Sequence, residues 1–177
     1  MNNILIIDTE TTGLEPTKGA LVLEIGALLF NVEDKVVLQT MSTFLPCSDN
    51  PVQDINNIDP IWTQRCQPYS NLLDMINRSA FNADLIIAHN AQFDVKFIKT
   101  IYTNSDNILT KPWMCTQHDF EWPVPLVRRR LKDVCEAMGV PYVDAHRALA
   151  DCRFIADCFA KIPDLDRRLE QARRRYA

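Results

Sequence analysis

Ile4-Leu5-Ile6-Ile7-Asp8-Thr9-Glu10-Thr11-Thr12-Gly13-Leu14 is the stretch that decides the fold. Four apolar residues run directly into two carboxylates one residue apart, and a glycine closes the run. An uninterrupted apolar run of this length reads as a strand covered on both faces. Side chains alternate along a strand, so Ile6, Asp8 and Glu10 point to one side while Leu5 and Ile7 point to the other. The two carboxylates therefore meet at the strand's carboxyl end, beside a core, where they repel each other unless a cation lies between them.

The remaining chain supplies partners for such a strand. With 177 residues, 47% hydrophobic and 24% charged, it is long and apolar enough for one globular domain spanning residues 1–177. The expected core covers about residues 3–160, and a charged helix over 164–176 ends the chain. No stretch reaches the apolar length of a membrane span. A strand that starts at residue 4 leaves no room for a secretory signal, and the six cysteines show neither disulfide nor zinc spacing. Cys115 and His118 form one C-x-x-H pair with no second pair to complete a site. Reduced, packed thiols and a cytoplasmic location are the expectation. The net charge of −4 argues against a general nucleic-acid coat protein, though not against an enzyme that meets phosphate through metal and a local basic patch.

Strands are predicted over Leu21 to Phe30 and Lys35 to Leu45, joined by a turn at Asn31-Val32-Glu33-Asp34, which makes an antiparallel meander with the first strand. Glu24 is an acid inside an otherwise apolar strand and reads as an edge or pocket residue. Pro46 to Pro68 is loop-rich. A helix over Tyr69 to Phe81, a buried strand over Asp84 to Ala88 and a helix to about Tyr102 follow. That order implies a parallel pairing, so the sheet is mixed. A short strand at Trp113 to Thr116, a helix from Leu126 to Met138 stopped by Gly139, and a helix with its entry loop from His146 to Ile162 complete the core. Leu165 to Tyr176 forms the last helix.

Two more acids sit beside buried structure. Asp94 shares a helical stripe with Phe97, Ile98 and Ile101, positions normally kept for core residues because burying an unpaired charge is costly. Asp151 lies at the edge of the buried face marked by Ala148, Cys152, Ile155 and Phe159. His146, five residues earlier, reaches the same site only from the loop or cap before the helix. Two divalent cations need several carboxylates to hold them and offset their charge, and hard oxygen ligands favour Mg²⁺ or Mn²⁺ over zinc. A histidine with an ordinary pKa near 6.5 is suited to taking a proton from water.

Ile7-Asp8-Thr9-Glu10-Thr11-Thr12-Gly13-Leu14, His89-Asn90-Ala91-Gln92-Phe93-Asp94 and His146-Arg147-Ala148-Leu149-Ala150-Asp151 resemble the three motifs of the DEDDh (DnaQ-like) exonuclease family in order and spacing. The resemblance covers about residues 3 to 160. It implies an α/β, ribonuclease H-like fold, a five-stranded mixed sheet flanked by helices, and stepwise 3′→5′ hydrolysis to nucleoside monophosphates. Carried over residue by residue, it makes Asp8, Glu10, Asp94 and Asp151 the ligands of two Mg²⁺ ions, with Mn²⁺ as a substitute, and His146 the general base. Thr11 would bond the terminal nucleotide, Leu14 would wedge against its base, and Asn90 would orient the second motif. Phe93 would pack beside that base or in the core.

Oligoribonucleases of the family carry Leu and Met where Thr9 and Thr11 stand here, which counts against a short-RNA specialist. The expected partners are single-stranded nucleic acid 3′ ends, DNA before RNA, and a DNA polymerase or repair protein. An RNA 3′-end trimmer and a polymerase proofreading subunit are the alternatives. Arg128-Arg129-Arg130, at a helix start, and Arg173-Arg174-Arg175 read either as phosphate contacts or as solvated helix ends.

Overall fold

In a computed structural model, residues 1–65, 69–143 and 146–175 are described. Strands β1 (Asn3–Thr11), β2 (Val22–Asn31) and β3 (Val36–Phe44) come first, with a 3₁₀ turn at Pro16–Lys18 between the first two. Short helices α1 (Gln53–Asn56) and α2 (Pro60–Arg65) precede α3 (Tyr69–Phe81), β4 (Leu85–Ala88) and α4 (Ala91–Ile101). Then come α5 (Asn107–Thr110), β5 (Trp113–Cys115), α6 (Leu131–Met138), α7 (Ala148–Ala160) and α8 (Leu165–Arg175). The five-stranded sheet has the order β3-β2-β1-β4-β5. The pairs β1–β2 and β2–β3 are antiparallel, and β1–β4 and β4–β5 are parallel.

Alternation along β1 divides the core as the sequence predicts. Ile4 and Ile6 join Leu28 and Phe30 under α6, α7 and α8, where Val134, Ile155, Phe159 and Leu169 are buried. Leu5 and Ile7 join Ile25 and Ala27 on the opposite face, against Ile76 of α3 and Ile98 of α4. Each such aliphatic side chain is stabilised by about 1.5–3 kcal/mol relative to exposure. The charged helix α8 docks through Leu165, Leu169 and Ala172, an i, i+4, i+7 stripe.

Several boundaries differ from the sequence reading, most by one or two residues. Helix α6 begins at Leu131 rather than Leu126, because Arg130 is extended (φ −70°, ψ 152°). There the Arg129 carbonyl accepts a hydrogen bond from His89 Nε2 at 2.8 Å. Strand β2 runs through Asn31, so the turn shifts to residues 32–35, with Lys35 at φ 55°. The loop-rich segment holds the two short helices α1 and α2. Cys66 and Pro68, and the predicted helix end at Tyr176, lie outside the described residues.

One glycine sets how closely α7 meets the sheet. A Cβ on Gly26 would stand 2.4 Å from Leu149 N and 2.5 Å from the Ala148 carbonyl carbon. Gly26 pairs with Asp8, so the first turn of α7 rests directly over the strand position beside that acid. Replacing Gly26 with Ala must push the start of α7 off the sheet. The expected loss is about 1–3 kcal/mol in urea unfolding; unchanged stability would show that the contact yields freely.

Candidate active site

The end of β1 carries Asp8 and Glu10, both half-buried, on the face covered by α7. Asp151 sits in the first turn of that helix. A carboxylate oxygen from each of Asp8, Glu10 and Asp151 can be chosen so that all lie within 4.8 Å of one another. Oδ1 of Asp151 is buried with no hydrogen-bond partner among the described residues. An orphaned anionic oxygen facing two other carboxylates matches what a divalent cation requires: hard oxygen donors with unspent charge.

Asp94 approaches from the other side of the strand. It is 2% exposed, in the first turn of α4. Its Oδ1 accepts hydrogen bonds from Thr9 N at 3.0 Å and Thr9 Oγ1 at 2.9 Å. Thr9 lies between Asp8 and Glu10 and points oppositely, so it ties Asp94 to the back of the same strand. Asp94 stands outside the cluster formed by the other three acids, yet after burial it is the largest source of repulsion on Asp8.

The electrostatics follow from this crowding. Burial first, then Asp94, Asp151 and Glu10, hold the Asp8 carboxyl well above the usual range. Burial and the charges of Asp151 and Glu24 push Glu10 up to about 8. Burial raises Asp94 to about 7 against the pull of the Thr9 bonds. Asp151 rises to about 6, again through burial, and the neighbouring His146 opposes that rise. Without a cation, this is a site that prefers to hold protons.

His146 stands in the loop just before α7, exposed, with φ 65°. That is the placement that lets it share a site with Asp151. The left-handed backbone is uncommon for a residue with a Cβ and turns the chain sharply into the helix. The next residue, Arg147, fixes the turn: its Nε donates to Glu24 Oε2 at 2.9 Å and its Nη2 to Oε1 at 3.1 Å. Glu24 Oε2 also accepts from Ala148 N at 3.3 Å, and Oε1 from Ser42 Oγ at 3.0 Å. Glu24 is thus a buried anchor for the start of α7. Its sequence signal was an acid inside an apolar strand; its partner Arg147 gave none.

The remaining predicted residues are distributed around the mouth. Leu14 is 76% exposed and borders an open groove of about 500 Å³ with Thr12, Gly13, Glu15, Lys18 and Gly19. Thr11 is buried, and its hydroxyl donates to the Gly13 carbonyl at 2.7 Å. The Thr11 carbonyl accepts from Asn56 Nδ2 at 3.2 Å, and Asn50 in turn donates to Asn56 Oδ1 and to the Ile58 carbonyl, each at 2.8 Å. This asparagine clamp escaped the sequence reading, because neither residue stands in a recognisable motif. Asn90 is exposed, and its side chain does not cap α4. Phe93 is half-buried with its ring 4.9 Å from that of Phe97 and Lys96 Nζ 5.8 Å above it. Of the first arginine cluster, Arg129 turns inward to the Phe120 carbonyl and Arg130 pairs with Asp133.

The RNase T model, described as exonuclease, matches residues 5–159. A DNA polymerase III of PolC type from Clostridium perfringens (strain 13 / Type A) is 26% identical over 156 residues, which are 86% of this chain and 11% of that protein. The chain therefore spans about a tenth of the length of such relatives. Among solved structures, E. coli exonuclease I in complex with a dA16 oligonucleotide superposes with a TM-score of 0.73 at 17% identity, covering 99% of this chain and 43% of that one. The nuclease domain of 3′hExo, a DEDDh family member bound to rAMP, gives a TM-score of 0.70 at 16% identity and 90% coverage of both chains. With its residues matched from the first strand to the end of α7, the chain belongs to the exonuclease family, and it has the ribonuclease H-like fold of these solved nucleases.

Proposed function

We propose that the chain, acting as one exonuclease domain over residues 1–177, removes nucleoside monophosphates from the 3′ end of single-stranded or frayed DNA. The observation that carries this reading is the convergence of Asp8, Glu10 and Asp151, with Asp94 held on Thr9 and near enough to repel Asp8. Asp8, Glu10, Asp94 and Asp151 would hold two Mg²⁺ ions, replaceable by Mn²⁺, which supply charge to polarise the phosphate and activate water. His146 takes the proton from the attacking water, its exposed ring free to reach solvent and substrate. Glu24 and Arg147 keep His146 and Asp151 in register. Leu14 meets the terminal base, with Thr11, Asn90 and Phe93 beside it. A cytoplasmic setting suits the buried cysteines, of which Cys135 and Cys158 face each other as thiols at 3.9 Å. No described helix is long and apolar enough to cross a membrane.

Two observations favour neighbouring readings. The rAMP in the 3′hExo structure supports an RNA 3′-end trimmer, and the PolC-type relatives support service to a DNA polymerase. End-labelled DNA and RNA oligomers digested side by side in Mg²⁺ separate substrates: a ladder keeping its 5′ label, faster on DNA and abolished by chelator, is expected. Internal cuts would overturn the exonuclease reading. Asp8→Ala and Asp151→Asn should lose nearly all activity and, without metal, melt no lower than the parent, since each removes repulsion.

His146→Gln probes the proton transfer. Turnover should fall by about 10²–10⁴-fold while metal binding stays close to that of the parent. A retained rate would assign the proton to another group.

The raised carboxyl groups also predict how stability depends on pH. Glu10, Asp94 and Asp151, at about 8, 7 and 6, bind protons in the folded state that the unfolded chain releases near pH 4. Stability of the metal-free protein must therefore fall as pH rises from about 4 to about 8. Melting in chelator should drop by about 10 °C or more across that range, and saturating Mg²⁺ should remove the drop. A slope unaffected by the ion would mean the acids do not bind it.

A further inference from the structure

Beyond the carboxylates the same face of the sheet continues in register. Glu10 pairs with Glu24, and Glu24 with Phe44, so these side chains form one row from the site to the outer strand. Two strand spacings separate Glu10 from Phe44, about 10 Å. The Arg147 guanidinium lies over the Phe44 ring, 5.1 Å from its centroid. Trp62 of α2 adjoins Phe44 at 6.5 Å between ring centroids, with its plane tilted 44°. Trp62 and the Arg147 side chain are each 44% exposed.

From this row we infer a nucleobase-stacking subsite formed by Trp62, Phe44 and Arg147, which receives a base of the single strand upstream of the bond being cut. The inference rests on the exonuclease reading and names a part of the substrate that it leaves unassigned. Arg147 spends its charge on the buried carboxylate of Glu24, so it offers a flat face rather than a grip on phosphate. Glu24 and Arg147 neutralise each other, so this pair offers phosphate no net charge. Affinity for the strand must then come from its bases, whose flat faces stack on aromatic and guanidinium planes regardless of sequence. The row begins at the catalytic acids, so a strand seated at its 3′ end has this shelf within reach.

The full chain, its Trp62→Ala variant and Trp62→Phe are compared on a single-stranded oligothymidylate and on the p-nitrophenyl ester of thymidine 5′-phosphate, which has no upstream base. Trp62→Ala should raise KM for the oligomer about 5- to 20-fold while kcat stays within about twofold, and Trp62→Phe should restore most of the loss. Kinetics on the ester should stay unchanged. Binding of the oligomer in Ca²⁺ should quench the fluorescence of the parent, with the signal lost in Trp62→Ala, because Trp113 and Trp122 are less exposed. Equal oligomer KM in parent and variant, or an equal rise on the ester, would overturn the subsite. Quenching without cleavage by the parent would support the shelf and overturn the exonuclease reading, whereas cleavage with no dependence on Trp62 would overturn the shelf alone.

Discussion

Repulsion among carboxylates at the end of one buried strand is the constraint around which the structure is arranged. A backbone that places Asp8 and Glu10 on one face, Asp151 over them and Asp94 behind them concentrates negative charge where water is scarce. Such an arrangement works against folding, and only packing elsewhere can hold it. The apolar run that precedes Asp8 does so: Ile4 to Ile7 are fully buried, anchored on both faces by helices. The strand is fixed before its acids are reached, so the acids have no freedom to spread apart. A site strained in this way gains most from a ligand that carries positive charge.

Each acid is also held by a different device, and the devices show how the fold divides the work. Asp8 and Glu10 are placed by strand alternation alone. Asp151 depends on the approach of α7, which Gly26 permits and which the Glu24–Arg147 pair orients. Asp94 depends on Thr9, whose N–H and hydroxyl both bind its Oδ1. The Glu24–Arg147 pair is more than a surface ion pair. Glu24 is almost fully buried and its oxygens also accept from Ser42 and the first N–H of the helix, so loss of either partner leaves an unsatisfied charge under α7.

Much of this was legible in the sequence because it depends on local period. The alternation of β1, the stripe of Asp94 with Phe97 and Ile98, and the need for His146 to precede its helix all follow from spacing along the chain. What could not be read depends on register between strands or on a chain path set by loops. The pairing of Glu10 with Glu24 and of Asp8 with Gly26 appears only when β2 is laid beside β1. The late start of α6 is hidden because Leu126 to Met138 has a helical pattern, while the Arg129 carbonyl bonds to His89 and Arg130 is extended. Burial, which disfavours the charged ring, lowers the pKa of His89 to about 4 against the pull of that bond.

The position of the site then follows from topology. β1 pairs antiparallel with β2 on one side and parallel with β4 on the other, so the chain order reverses at β1. At such a point, connections leave the carboxyl ends of neighbouring strands in different directions and open a crevice between them. β1 ends in its acids, and β4 leads through His89 and Asn90 into the first turn of α4, where Asp94 lies. α7 closes the third side through a helix start whose N–H groups are partly satisfied by Glu24. The acids meet at β1 because there two other chain segments, the starts of α4 and α7, can approach one strand end without crossing, so that the acids of all three gather in a single cleft.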